Sequence, residues 1–538
     1  MEDKTLKREK YIKKVQASQG KKLSFNIKKL SFEELASGKI IILIIILLIG
    51  AYLRLYRIAD YLTFLGDEGR DVLVVKRMIV DKKFTLLGPT ASVGGFFLGP
   101  IYYYFMLPFL WLWRLDPVGP AIMVALFGVA TIFLIYQVGK EFFNEKTGLL
   151  ASSLYAFSPL VIAYSRSSWN PNLVPFFSLL YIYSLGKLVK EKRWFWWFLA
   201  GLTVGIGLQL HYLFTFLIPI GFSYIFLFKR GKPFIKKYGL FILGFLIGLA
   251  PFLAFEIRHR FTNIQTIIKF LFTGKETGFA EIKTIVILGD LIFRLFGRLI
   301  FYFPPPEQFS LYSKNILFWW RFFVIMAVIS SLAYLVVRII KDKKAVHILI
   351  LLWFVFGIGL FSFYKKDIYD YYLGILFPLP FLLLGNLFSF FWQKKILKLF
   401  VGIGFTALLI FNWSGRPFKF PANRQLEQAK TISRFVLEKT ENKPFNFALI
   451  TAQNSDHAYR YFLEIWDRKP IIIENSQIDP EKKTVADQLL IVCEDINCQP
   501  LGHSLWEVAG FGRAEIAGQW DVSVVKIYKL IHYQEESL

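Results

Sequence analysis

The chain predicts a polytopic α-helical membrane protein of about eleven transmembrane helices, followed by a small α/β domain outside the membrane. Three observations carry that reading. Of 538 residues, 55% are hydrophobic and 18% aromatic, and mean hydropathy is +0.46, too apolar for an ordinary soluble globular protein. Stretches close to the roughly 20 residues that cross a bilayer recur from Lys39 to Trp413, with Lys/Arg clusters between them. From Arg416 onward the apolar runs shorten to strand length.

Residues 1–38 read as a basic cytoplasmic leader. The first apolar run has no small-residue cleavage pattern after it, so it should stay as a signal anchor. Residues 39–415 form the membrane domain, with expected spans at Ile40–Tyr56, Val118–Val138, Leu149–Tyr164, Leu173–Val189, Trp194–Leu210, Tyr212–Phe228, Tyr238–Phe255, Leu317–Val337, Val346–Phe363, Tyr371–Phe391 and Ile396–Trp413. Ile101–Trp113 is too short for a span and reads as a re-entrant or interfacial segment. With that choice, the loops holding Lys140, Lys187, Lys232, Lys343 and Lys394 share the side of the basic leader, as the positive-inside rule requires. The loops at about 57–117 and 257–315, and the tail 416–538, then face outward.

Within the second external loop, Asp290, Arg294 and Arg298 stripe one face of Ile282–Ile300, which predicts an interfacial amphipathic helix. In the tail, Phe447–Leu449, Pro470–Ile473, Leu489–Val492 and Val522–Ile527 read as strands and Asp456–Trp466 as a helix. Both cysteines, Cys493 and Cys498, lie there. A disulfide and two free thiols are both open readings, because bridge geometry is not legible from spacing.

The net charge of +25 would elsewhere suggest nucleic acid. Here the basic residues punctuate apolar segments, so they read as topology signals and contacts to lipid head groups. The expected partner is the lipid bilayer and not nucleic acid.

The cluster Gly66-Asp67-Glu68-Gly69-Arg70-Asp71 follows the first span. A transmembrane helix does not need an Asp-Glu pair to fold. Asp67 or Glu68 could accept a proton from an acceptor hydroxyl or amine while Arg70 faces an anion; both acids could equally cap a helix. Tyr102, in Gly99-Pro100-Ile101-Tyr102-Tyr103-Tyr104, is an interfacial anchor or a binding residue. Arg166 and Asn170, beside Trp169 and Asn172, form a polar turn or a sugar-binding rim. His211 is a head-group contact or a site residue. Arg258, Lys365 and Lys366 lie outside against the charge rule, which suits an anionic ligand or anionic head groups.

Taken in order, these motifs resemble the GT-C glycosyltransferases, in particular the branch with lipid A aminoarabinose transferases and protein O-mannosyltransferases. The matching features are Asp67-Glu68 after the first span, Arg70, Pro100-Ile101-Tyr102-Tyr103, Gly139-Lys140, Gly148-Leu149-Leu150-Ala151…Ser158-Pro159…Ser165-Arg166, and Tyr371-Tyr372…Pro378…Pro380. The likeness is good over Leu47–Leu188, weaker to Trp413 and architectural in the tail. It implies a polyprenyl-phosphate-linked sugar as donor and an acceptor glycan, lipid or protein on the extracytoplasmic face. It also implies inverting displacement, Asp67 as base, and Arg70 and Tyr372 among the substrate-binding residues. With a monophosphate leaving group, Arg and Lys could serve without a metal, so no cofactor is expected. Two departures stand out: Leu98-Gly99 where relatives carry Glu-Lys, and Asn170 and Asn172 where many carry an Asp. The alternatives are a diphospholipid-dependent oligosaccharyltransferase or ligase, and a transporter or flippase, which would show charges near the bilayer midplane.

Overall fold

The computed structural model describes residues 38–91, 94–191, 193–228, 235–273, 284–364, 367–495 and 498–534. Lys365 and Lys366, the leader before residue 38 and the loop with Lys232 lie outside the described residues. By Cα proximity the chain divides between Ile45 and Ile46. Gly38–Ile45, the described part of the first unit, is helical, and every contact described below lies within the second.

In chain order the helices are α1 Gly38–Leu55, α2 Gly66–Ile79, α3 Ile101–Leu112, α4 Val118–Phe142, α5 Glu145–Phe157, α6 Pro159–Tyr164, α7 Val174–Lys190, α8 Phe195–Leu210, α9 Ile218–Phe228, α10 Ile235–Arg258, α11 Thr262–Thr273, α12 Thr284–Ile300, α13 Lys314–Asp342, α14 Ala345–Gly359, α15 Pro378–Trp392 and α16 Leu397–Ser414. Among the described residues, seven helices are long and apolar enough to cross a membrane, and the pair Asp370–Leu376 and Pro378–Trp392, bent by 57°, makes an eighth if counted as one span. Each falls on an expected span. The other three expected spans are interrupted or short. Leu149–Tyr164 breaks where Ser158 turns extended before Pro159, because proline disfavours helical backbone in the residue it follows. Trp194–Leu210 and Tyr212–Phe228 lie on apolar helices below full span length. α3 is also short, as its bounds predict.

α8 and α10 pack backbone to backbone. A Cβ on Gly201 would lie 1.9 Å from Phe241 O, and one on Gly244 2.1 Å from Phe198 O; Gly205 and Gly248 repeat the relation one turn on. Reciprocal small residues four apart let two apolar helices approach backbone to backbone. Elsewhere, Arg166 donates to the carbonyls of Leu53, Arg54 and Tyr56, satisfying orphan acceptors at the end of α1. α12 has the striped character expected of it: Arg294 and Arg298 pair with Asp370 at 2.6 and 2.9 Å, and Asp290 with Arg294 at 3.3 Å. That anchors the segment carrying Tyr371 and Tyr372.

After α16 come α17 Gln425–Lys439, β1 Asn446–Ile450, α18 His457–Ile465, β2 Gln488–Cys493, α19 Trp506–Phe511, β3 Ala514–Val522 and β4 Val525–His532. The sheet order is β1-β2-β4-β3, with β1 parallel to β2 and the β3–β4 hairpin antiparallel. β1, β2 and α18 fall where the periodicity puts them, since β1 and β2 are buried throughout. Two expectations fail. Pro470–Ile473 makes a single bridge, Asn446 to Ile471. Val522–Ile527 straddles the hairpin turn, where Ser523 has φ +56°, and β3 escaped notice because it is an exposed edge with Glu515, Gln519 and Asp521 interrupting its apolar positions.

Candidate active site

α2 begins at Gly66 with the Asp67-Glu68 pair in its first turn. The structure separates the two acids. Glu68 is buried and accepts the Leu65 N–H at 3.0 Å, so it is the capping residue. Burial pushes its carboxyl up to about 7, against the lowering effect of that hydrogen bond. Asp67 is 57% exposed and receives Arg70 Nη1 at 2.8 Å on Oδ1. Among the described residues its Oδ2 has no partner.

Arg70 reaches back with Nη2 and Nε to Asp71 Oδ1 at 2.8 and 3.0 Å. Asp71 is fully buried and also accepts Tyr103 OH at 3.2 Å. Burial raises the Asp71 carboxyl to about 6 even though Arg70 pulls it down. Burial lowers the Arg70 pKa, but Asp71 and Asp67 outweigh it and keep the guanidinium charged. Arg70 therefore orients Asp67 while anchored from below by Asp71.

Asp67 stands between two cavities. The larger, about 950 Å³, runs from Thr63–Glu68 past Ser167, Trp169 and Asn172 to α17 and the α/β domain. The smaller, about 160 Å³, is lined by Asp67, Arg70, Trp169, Asn170, His211 and Tyr371 among others. Trp169 touches both, its ring centroid 4.5 Å from that of Tyr371.

The tail domain is built into this site. Gly66 N–H donates to Asn454 Oδ1 at 2.9 Å. Asn454 in turn donates to Glu494, which also accepts from Tyr459 OH and Thr451 Oγ1, both at 2.8 Å. Glu494 follows Cys493, which is disulfide-bonded to Cys498. Gln425 accepts the Phe64 N–H at 3.1 Å, and Glu464 of α18 pairs with Arg77 of α2 at 3.1 Å. The glycines around Asp67 have a steric reason: a Cβ on Gly66 would overlap Ser455, and one on Gly69 would lie 2.3 Å from Ala458 N.

Of the residues singled out in the sequence, Asp67, Glu68, Arg70, Asn170 and His211 come together around the cavities. Asn170 donates to Leu210 O, and His211 Nδ1 accepts the Leu213 N–H. Tyr372 lies buried behind Tyr371, its ring centroid 5.5 Å from His211. Tyr102 is buried against Ser168, Arg166 serves the end of α1, and Arg258 is exposed at the end of α10; none of the three lines either cavity. Lys365 and Lys366 lie outside the described residues. Sequence reasoning missed Asn454, Glu494, Gln425 and Tyr459. Nothing in the sequence relates position 454 to position 66; the nearest signal was the Gly66…Gly69 spacing, which suits a helix face in close contact. Among the described residues, no three His, Cys, Asp or Glu side chains group as a metal site.

Residues 99–256 match the family model of dolichyl-phosphate-mannose-protein mannosyltransferases. Two Bacillus subtilis proteins are similar over shorter stretches: the putative mannosyltransferase YkcB, 28% identical over 113 residues, and the putative mannosyltransferase YycA, 25% identical over 123. Those stretches cover 21% and 23% of this chain but only 16% and 18% of the relatives. Among solved structures, ArnT from Cupriavidus metallidurans bound to undecaprenyl phosphate superposes with a TM-score of 0.61 at 10% identity, covering 92% of this chain and 98% of ArnT. The archaeal oligosaccharyltransferase AglB from Archaeoglobus fulgidus, in complex with an inhibitory peptide and a dolichol-phosphate, gives 0.51 at 13% identity over 84% of this chain and 69% of its own. At these identities the likeness is one of fold, and the fold is GT-C.

Proposed function

With a GT-C fold as premise, we propose that the chain is an inverting membrane glycosyltransferase. It would take a sugar from a polyprenyl-phosphate donor and transfer it to an acceptor on the extracytoplasmic face, with Asp67 as base. One observation carries this: of Asp67, Glu68 and Asp71, only Asp67 is exposed with an unpaired oxygen among the described residues, and it separates a large cavity from a small one. The mannosyltransferase family match over residues 99–256 supports the reaction class, and the lipid phosphates bound by ArnT and AglB support the donor class.

In this reading the acceptor lies in the larger cavity and the donor phosphate beside Arg70 in the smaller. Asp67 Oδ2 takes the proton of the acceptor hydroxyl as the acceptor oxygen bonds to the anomeric carbon from the face opposite the phosphate. The sugar–phosphate C–O bond breaks, and the lipid phosphate leaves with the electron pair. Arg70 orients the base through Oδ1 and supplies positive charge next to the departing group. Asn170 and His211 bound the donor side. An apolar groove of about 1270 Å³ lined by α13, α15 and α16, with Trp320 and Phe411 in its wall, has the chemistry of a polyprenyl tail.

Asp67→Asn tests the assignment. It preserves size and the Arg70 contact but removes the base, so transfer should fall about a hundredfold to ten-thousandfold with expression and donor binding kept. Loss through capping is no confounder, because Glu68 holds the cap. An Asp67→Asn enzyme with undiminished transfer would move the base elsewhere.

A further inference from the structure

Resting on that reading, we infer that the acceptor admitted by the larger cavity is an uncharged, hydroxyl-rich glycan headgroup rather than a phosphorylated lipid or a peptide. The chain carries 64 Lys and Arg against 39 Asp and Glu. Among the described residues lining this cavity the balance is reversed: Asp67, Glu68 and Glu494 are present and no Lys or Arg is, with Asp67 and Glu494 the more accessible acids because Glu68 is buried as the cap. A phosphate entering would face Asp67 of α2 on one wall and Glu494 of the tail domain on the other, while Arg70, the cation beside Asp67, does not line this cavity and is already held by Asp67 and Asp71.

The rest of the lining is suited to hydroxyls. Gln425, Gln428, Gln453 and Asn172 offer amides, each able to donate and accept. Thr63, Ser167 and Ser455 offer hydroxyls, and the half-buried Trp169 an aromatic face at the junction with the smaller cavity. Convergent polar side chains around a few apolar faces are how concave sites orient a small polar ligand. Peptides are instead held by main-chain pairing to a strand edge or by apolar pockets for their side chains. The volume, about 950 Å³, lies at the upper end of ligand sites and suits more than one sugar ring. The tail domain thereby takes part in acceptor selection, since it contributes half of the acceptor wall.

The test uses the purified full chain in nanodiscs, with binding read by thermal shift and transfer read with radiolabelled decaprenyl-phosphate mannose. The probes are diglucosyl-diacylglycerol, the same lipid phosphorylated on its terminal sugar, free maltotriose and a Ser/Thr-rich peptide. Diglucosyl-diacylglycerol should bind, with the phosphorylated lipid weaker by about tenfold or more, and Gln428→Lys should narrow that gap. Equal binding of maltotriose would identify a free glycan, and lipid-only binding a lipid-borne one; both support the inference. Tighter binding of the phosphorylated lipid, preferential binding of the peptide, or failure of both the glycolipid and maltotriose to bind would overturn it. Binding of the neutral glycan with neither donor binding nor transfer would instead overturn the glycosyltransferase reading and leave the cavity's selectivity standing.

Discussion

Replacing Gly69 by Ala should cost far more activity than stability. The new Cβ would lie 2.3 Å from Ala458 N, 2.5 Å from His457 C and 2.6 Å from Ala458 Cα. These are backbone atoms in the first turn of α18, so no side chain can swing aside, and ordinary contact requires a retreat of about 1 Å. Overpacking of this kind costs about 1–3 kcal/mol, and the better helix propensity of Ala returns about 1 kcal/mol of it. The melting temperature should therefore drop only modestly. Catalysis is more sensitive, because α18 carries Tyr459, which holds Glu494, which holds Asn454 against Gly66. A displacement of about 1 Å in a positioned site can cost about a hundredfold in rate. Transfer and thermal melting would be measured on one preparation, with Gly289→Ala as control, since a Cβ at that exposed helical position meets nothing within 4 Å. A Gly69→Ala enzyme with wild-type transfer would refute the claim that α2–α18 packing sets the site.

Glu68→Gln should change the pH dependence of stability. The native carboxyl is raised from 4.5 to about 7, so the folded state holds a proton that the unfolded state has lost, and that stability fades as pH rises through this window. The melting temperature of Glu68→Gln relative to wild type should climb between pH 5 and pH 8, and a flat difference would contradict the buried, raised carboxyl. Replacing Cys493 and Cys498 by Ser should destabilise the tail by about 2 kcal/mol on chain-entropy grounds and lower transfer, because Glu494 adjoins the bridge; unchanged transfer would separate the bridge from the site. For topology, Asp67 and the tail share one side through the Gly66–Asn454 bond, and the charge pattern puts Lys343 on the other. Impermeant thiol reagents should label Cys at Ser523 but not at Lys343 in intact cells, and labelling at 343 would invert the arrangement.

The sequence by itself determined the class of molecule and much of the helix plan. Apolar length and interposed Lys/Arg clusters report directly on the cost of burying backbone and charge in lipid, so seven full-length helices fall on expected spans. The same local logic found the stripe of α12, the short α3 and the buried strands β1 and β2. It also singled out Asp67, because an unneeded carboxylate is conspicuous in an apolar chain. Local signals failed where proline, edge exposure or a turn reshaped an element, as at Ser158-Pro159, β3 and Val522–Ile527.

Tertiary structure alone decided how the acidic cluster divides its labour. Asp67 and Glu68 are chemically near equivalent in sequence, yet packing buries one as a cap and leaves the other open between two cavities. Arg166, read as part of a polar turn or a sugar-binding rim, closes the end of α1, since its three carbonyl partners lie at and just past that helix end, more than a hundred residues earlier. Half of the larger cavity comes from residues past 420, brought beside Gly66 by contacts between segments nearly four hundred positions apart. Periodicity and composition describe what each residue prefers beside its neighbours in the chain; they hold no term for which distant surfaces will meet, and the site is made of such a meeting.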